Sequence, residues 1–199
     1  YWFSKRKEVK KLVVVFIFFL LTIFIVGVSY AQNKLKQESV ESTESSNIEN
    51  FNSYTEFWPV TAGKVIGEPF YFLKTIKEDL RGLLYFSESK KADYNMTLSE
   101  KRLVEAEKLY LEKKDNINGQ KSLVLAQGKR EKVLSLLGSI KKSGRNTNDL
   151  TRRLLSSFKR QRTLLQSIEN SVQSDAKDQV LDSLKTLDSL LLKLENIAR

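Results

Sequence analysis

The residue types that carry most enzymatic chemistry near neutral pH are missing from this chain. Its 199 residues include no histidine and no cysteine, which removes the usual general base, the commonest metal ligand and any thiolate. No serine lies in a G-x-S-x-G frame or in an S-x-x-K motif with its partner motifs, and no phosphate-binding G-x-x-x-x-G-K-[ST] loop is present. Glu100, Glu105, Glu107 and Glu112 are interspersed with basic residues, a pattern typical of a solvated helix face. We therefore expect no catalytic activity, no cofactor and no metal site.

One charge asymmetry could bind an anionic partner. Residues 121–162 contain twelve basic residues and two acids. Arg152 and Lys159 are seven residues apart, as are Arg153 and Arg160, so each pair shares a helix face. The face is either ordinary solvated surface or a patch for lipid headgroups, wall polymers or an acidic protein. Nucleic acid is not an expected partner, because the run lacks interleaved aromatic residues for base stacking. The candidate patch comprises Lys129, Arg130, Lys132, Lys141, Lys142, Arg145, Arg152, Arg153, Lys159, Arg160 and Arg162.

The apolar segment Leu12–Ala31 decides where these residues lie. Twenty uncharged residues in a helix span about 30 Å, the thickness of the hydrocarbon core of a bilayer. Residues 1–11 carry five basic residues and one acid, so this basic head is predicted to be cytoplasmic, with the following domain extracytoplasmic. The alternative is a signal peptide cleaved after Ala31, since Ser29-Tyr30-Ala31 fits the small-x-small cleavage pattern and would give a secreted protein. Both interpretations export the rest of the chain.

Three further parts follow the apolar segment. Residues 32–53 are rich in Ser, Glu and Asn and lack apolar periodicity, which predicts a flexible tether. Residues 54–67 contain three aromatic residues, a proline and two glycines, and we expect this loop to pack on the helices; the alternative is an exposed docking motif. Residues 68–199 are predicted to form the extracytoplasmic helical bundle.

Apolar residues recur at steps of three and four throughout residues 68–199, which predicts an elongated antiparallel bundle of four to five helices. The fold class is therefore all-α. Pro69 suits the first position of a helix that continues to about Phe86. Residues 113–120 are predicted to form a turn. The sequence leaves open whether the last two predicted helices are separate or continuous. The apolar stripe of the first of these helices comprises Phe70, Leu73, Ile76, Leu80, Leu83 and Leu84. Phe70 and Leu73 are expected to enter the core.

Two short motifs occur within the first two predicted helices. Residues 69–74 read P-F-Y-F-L-K, and residues 102–106 read R-L-V-E-A. Together they resemble the P-[LF]-Y-x-[LV]-K and R-L-x-E-A elements of a bacterial exported family, domain of unknown function 5667. The resemblance covers about residues 67–111 and implies an envelope protein with a helical domain and no assigned activity. The matching residues are Pro69, Phe70, Tyr71, Leu73, Lys74, Arg102, Leu103, Glu105 and Ala106.

The spacing of the second motif has a physical consequence of its own. Arg102 and Glu105 are three residues apart and can pair on one helix face. The alternative is that these two residues form a binding patch with Tyr71 and Lys74.

The expected function is that of a membrane-tethered extracytoplasmic interaction or scaffold domain. Its partners would be the membrane, through Leu12–Ala31, and another envelope protein or an anionic envelope polymer. One alternative is a binder of anionic polymers or lipid headgroups through the basic patch. Another is a sensor ectodomain, which would need an output domain ahead of Tyr1. A homo-oligomer is a further alternative, because the last helix has a heptad-like seam of Val180, Leu184, Leu187, Leu191, Leu194 and Ala198.

Overall fold

The computed structural model describes Phe57 and residues 59–198, and in this part of the chain all regular structure is helical. The predicted all-α class and helical bundle are confirmed. The predicted head, apolar segment and tether (1–11, 12–31 and 32–53) lie outside the described residues. Among the helices that are described, none is long and apolar enough to cross a bilayer. The helices are α1 Tyr71–Leu83, α2 Glu88–Glu107, α3 Asn116–Lys142, α4 Asn148–Ser171 and α5 Ser174–Ala198, and α2 continues into a π-helical turn, Lys108–Glu112.

Helices α2 to α5 form the bundle around one apolar core. The pairs α2–α3 and α4–α5 are antiparallel, and α2 also packs against α4 and α3 against α5. The apolar stripes that the sequence predicts for these four helices all face inward. The core residues that no solvent reaches include Leu103, Val133, Leu137, Leu154, Phe158, Leu165, Ile168, Val180, Leu187 and Leu194.

The segment before α1 lies on the bundle and contributes to its core. Phe57, Ala62 and Val65 are buried, and the guanidinium carbon of Arg160 lies 6.0 Å from the centre of the Phe57 ring. The other two aromatic residues of the predicted loop, Tyr54 and Trp58, lie outside the described part of the chain.

Helix α1 is shorter than the sequence predicts at both ends. It begins at Tyr71 rather than Pro69 and ends at Leu83 rather than Phe86. Phe70 accounts for the later start, because its left-handed backbone (φ 64°) interrupts the helix geometry. Glu68 holds the turn before it, since its carbonyl accepts the Tyr71 N–H (3.2 Å) and its carboxylate accepts the Val65 N–H (2.9 Å). Pro69 therefore lies in the turn that precedes the helix.

The predicted turn at residues 113–120 is also shorter in the structure. Asp115 caps α3 by accepting the Asn118 N–H at 3.0 Å, so the helix begins at Asn116 and contains Gly119. Gly119 is needed there because a Cβ atom would lie 2.8 Å from the ring of Tyr110. The ring packs on the helix backbone, and its hydroxyl donates to Gln179 Oε1 at 2.9 Å.

The last two helices are separate rather than continuous. Val172 donates its N–H to the Ile168 carbonyl and then adopts an extended backbone with ψ 157°. The chain reverses there without a glycine or proline, and α5 begins at Ser174.

Gly119→Ala should destabilise the protein by about 1–3 kcal/mol, because the added methyl group overpacks the Tyr110 ring. Gly128→Ala is the matched control on the same helix, since a Cβ atom there meets nothing within 4 Å; it should stabilise the protein by up to about 1 kcal/mol. Urea unfolding followed by circular dichroism measures both. Equal effects would contradict the assigned contact.

Candidate interaction surface

The face of α1 that contacts the bundle is its polar face. Tyr71, Lys74 and Glu78 follow one another at steps of three and four residues, so they lie on one side of α1. All three make side-chain bonds to α2. The attachment of α1 to α2 is therefore made by hydrogen bonds and ion pairs.

Glu105 is the most deeply buried acid in this contact. Its side chain is inaccessible to solvent and pairs with Lys74 of α1. It also accepts from Arg102 Nη1 at 2.6 Å, as the spacing of the two residues predicts, and from the Tyr71 hydroxyl at 3.3 Å. One buried carboxylate thus binds three donors on two helices.

A second buried carboxylate, Glu78, extends this arrangement along α1. Glu78 pairs with Arg102 through the second nitrogen of that guanidinium and accepts from Lys101 Nζ at 2.5 Å. Tyr94 adds a hydrogen bond from its hydroxyl to the Glu78 carbonyl at 2.8 Å. We call the residues joined in this way the ion-pair cluster: Tyr71, Lys74, Glu78, Lys101, Arg102 and Glu105.

Lys74 connects the cluster to the segment before α1. Besides its ion pair with Glu105, its ammonium group donates to the carbonyls of Ala62 (2.6 Å) and Lys64 (2.5 Å). All three N–H bonds are therefore used, and a single side chain holds the loop, α1 and α2 together.

Burial and charge shift the pKa values of the cluster. Burial, reinforced by the negative charge of Glu105, raises the pKa of Tyr71 to about 12. Burial lowers the pKa of Lys74, although the ion pair with Glu105 acts in the opposite direction. Burial also acts to lower the pKa of Arg102, but Glu105 and Glu78 outweigh it and raise that pKa. Tyr71 is therefore a neutral hydrogen-bond donor at neutral pH.

Part of the charged run that the sequence predicts to be a solvated face is buried in the structure. Arg102 and Glu105 lie inside the cluster, and Glu100 is also buried. Glu100 accepts from Ser157 Oγ at 2.6 Å and from Arg160 Nη2 at 3.2 Å, both on α4. The expectation was wrong for Glu100 and Glu105, because these charges have partners on neighbouring helices, whereas Glu112 is exposed.

The apolar face of α1 is turned away from the bundle. The periodicity correctly predicts one stripe, but Phe70 and Leu73, which were expected to enter the core, are 63% and 52% exposed. The reason is that the ion-pair cluster occupies the opposite face of the same helix. We call the exposed side chains of α1 and of the residues that flank it the α1 apolar face: Phe70, Phe72, Leu73, Ile76, Leu80, Leu83, Leu84 and Phe86.

The extent of the α1 apolar face distinguishes it from ordinary surface. Its eight large side chains are each at least half exposed, so together they expose apolar surface on the order of several hundred Å². Monomeric proteins seldom expose a contiguous apolar patch above about 600 Å², and larger patches mark interaction sites.

A basic depression borders this face on one side. It is open to solvent, and the residues around it include Lys64, Lys77, Arg81, Lys101 and Tyr94. Sequence analysis missed it because its basic residues are spread over 38 positions and meet only when α1 docks on α2.

The sequence-predicted basic patch is largely balanced by acids. Ion pairs join Arg145 to Glu88, Arg153 to Asp93 and Asp149, and Arg152 to Asp149. Arg160 pairs with Glu100 and Arg162 with Asp188. Lys141 donates to the Ile197 carbonyl at 3.2 Å. Of the remaining members, the exposed ones are Lys132, Lys142 and Lys159, and Lys129 is half-buried.

Arg130 cannot belong to a surface patch, because solvent does not reach it. It lies on the inward stripe of α3, where its Nε donates to the Ala126 carbonyl at 3.3 Å. Burial lowers its pKa to about 10. Including it in the patch was wrong: its position on the stripe, not its charge, determined its location.

The heptad-like seam of α5 is used within the chain. Its residues from Val180 to Leu194 are buried in the bundle, so they offer no apolar surface to a second copy. The side chain of Ala198 lies outside the described part.

Comparison with known families gives one match. The model of a family described as a domain of unknown function (DUF5667) matches residues 64–194, which confirms the resemblance and extends it from the segment before α1 to residue 194 in α5. No curated protein and no solved structure matches the chain. Within the described residues, no group of three or more acidic side chains could hold a metal ion.

Glu105→Gln should destabilise the protein by about 3–5 kcal/mol, because it leaves Lys74 without its countercharge and leaves Arg102 with Glu78 alone. Asp182→Asn removes an exposed ion pair with Lys185 and should change the stability by less than about 1 kcal/mol. Thermal or urea unfolding measures the stability change of each variant. A small effect of Glu105→Gln would show that the cluster does not fasten α1.

Acidification should weaken the segment that leads into α1. A hydrogen bond from Lys113, at 2.7 Å, and one from the Val65 N–H lower the pKa of Glu68 from 4.5 to about 2. Because the folded-state pKa is the lower one, this stabilisation is complete above pH 4.5 and is lost as the pH falls towards 2. The melting temperatures of the parent and of Glu68→Gln should therefore converge over that range. A constant offset between the parent and Glu68→Gln over that range would contradict the assignment.

Proposed function

The chain belongs to the DUF5667 family, and from the outward apolar face of α1 we propose that it is a non-catalytic, membrane-tethered extracytoplasmic interaction domain. Residues 12–31 would anchor it with its N-terminus in the cytoplasm, and residues 32–53 would separate the anchor from the bundle. In this proposal the bundle is a scaffold, and α1 is the element that it presents to a binding partner.

The observation that carries this proposal is the orientation of α1. Burying apolar surface stabilises a protein by about 25 cal/mol per Å², whereas burying charged groups incurs a desolvation cost even when they are paired. An amphipathic helix that only completed a core would therefore turn its apolar face inward. Helix α1 does the reverse, which is the arrangement expected of a helix whose outer face binds something else.

The packing of α1 supports a surface role as well. The hydrogen bonds and ion pairs made by the carboxylates of Glu78 and Glu105 fix the rotation of α1 about its own axis. A face held in one orientation loses little conformational entropy on binding, so it is suited to recognition.

The alternative binding mode through the basic patch has weaker support. Its arginines on α4 are paired with acids on α2, α4 and α5, and Arg130 is buried. An anionic polymer would have to compete with these acids for the same guanidinium groups.

Photo-crosslinking in cells tests the proposal. The full chain carries a benzophenone amino acid in place of Leu80 on α1 or, as a matched control, in place of Leu192, an exposed leucine of α5. We expect a discrete adduct, with protein or with lipid, from position 80 only, because that position lies at the centre of the binding face.

The second variant Ile76→Glu, placed one helical turn away, should abolish this adduct while leaving the helical content unchanged by circular dichroism. Indistinguishable adduct patterns at positions 80 and 192, or no adduct at either, would refute an interaction through α1.

A further inference from the structure

We propose that the α1 apolar face rests on the surface of an anionic phospholipid bilayer, with the neighbouring basic residues at the headgroups. This inference rests on the proposed function and names the partner of that surface.

The chemistry of the face fits lipid better than protein. Between Phe72 and Leu84 the outward residues within the stripe are aliphatic or aromatic and offer no hydrogen-bonding side chain. Protein interfaces carry about one hydrogen bond per 100–200 Å² of buried area, whereas the acyl region of a bilayer requires none. The face is also a single projecting helix rather than a groove, and amphipathic helices with charged polar faces lie in the interface plane of membranes in this way.

The charges beside the stripe are mainly basic. Lys77 and Arg81 follow the stripe on one flank of α1, and Lys64 borders the depression next to them. All three are exposed, against one exposed acid on α1, Asp79. Anionic headgroups attract such residues, and long basic side chains can keep their charges at headgroup level while their stems lie along the apolar surface.

The ion-pair cluster removes the main obstacle to this contact. Lys74 and Glu78, the other charged residues of α1, are bonded to α2 on the side away from the stripe. A bilayer that covers the α1 apolar face therefore does not have to desolvate them.

The chain also brings α1 within reach of a membrane. The sequence predicts a span that ends at Ala31 and a tether of 22 residues, 32–53. A flexible chain of this length has a root-mean-square extension of about 25 Å. Helix α1 is the first helix after it, so its apolar face is held at high effective concentration near the bilayer.

Depth-dependent fluorescence quenching tests this contact in the full chain. Because the chain has no cysteine, Ile76→Cys provides a single site for an environment-sensitive label, and Leu192→Cys is the matched control. The proteins are reconstituted in vesicles of phosphatidylcholine and phosphatidylglycerol that contain a lipid with a quencher on its acyl chain. We expect a blue-shifted emission at position 76 and quenching at least twofold greater than at position 192.

Two further comparisons separate lipid docking from mere proximity to the membrane. The double variant Lys77→Glu and Arg81→Glu, and vesicles of phosphatidylcholine alone, should each reduce the excess quenching at position 76 by half or more. Lys142→Glu, at an exposed position at the end of α3, should leave it unchanged. Circular dichroism confirms that each variant is folded.

Equal quenching at positions 76 and 192 would overturn the bilayer contact. If the benzophenone at position 80 still gave a protein adduct, including one with a second copy of the chain, the proposed function would stand with a protein partner. If it gave none, both the inference and the proposed function would fail.

Discussion

The placement of α1 depends on the carboxylate of Glu105, which is sealed from solvent between two helices. A buried charge that loses its partner destabilises a protein by several kcal/mol, so Lys74, Arg102 and Tyr71 must all reach that position. These requirements fix the rotation of α1, since Lys74 and Tyr71 share one face of it. The outward direction of the opposite, apolar face is therefore a consequence of the cluster and does not come from any apolar contact of α1 itself.

Polar groups also order the interior of the bundle. Gln161 donates to Ser99 at 2.9 Å and to Ser157 at 3.1 Å, and Ser157 in turn donates to Glu100. These bonds join α2 and α4 at one level, where a purely apolar seam would permit one helix to slide along the other. Buried polar residues can specify register in helical assemblies, and these bonds indicate that the bundle combines apolar packing with a specific alignment of α2 and α4.

The sequence predicts the stripes well and their partners less well. The seams of α2 to α5 face the core as predicted, because each of those helices has its apolar residues at three- and four-residue steps. The stripe of α1 has the same periodicity but faces outward, since periodicity identifies a face and not what covers it. Likewise, the charged run around Glu105 is typical of a solvated face. The sequence does not show that Lys74, 31 positions away, contacts Glu105 in the folded chain. Gly119 resembles a turn residue until the Tyr110 ring packs on it.

The family motif separates into two physical roles when it is placed on the structure. Tyr71, Lys74, Arg102 and Glu105 fasten α1, whereas Phe70 and Leu73 are exposed on the other side. The motif that this chain resembles asks for an apolar residue at both of these exposed positions, although neither contributes to the core. A purely structural motif would have no use for apolar groups in water, where they lower solubility and favour non-specific association. Under the proposed function both halves of the motif have a role: one set of residues fixes the orientation of the helix, and the other would form the face that contacts the partner.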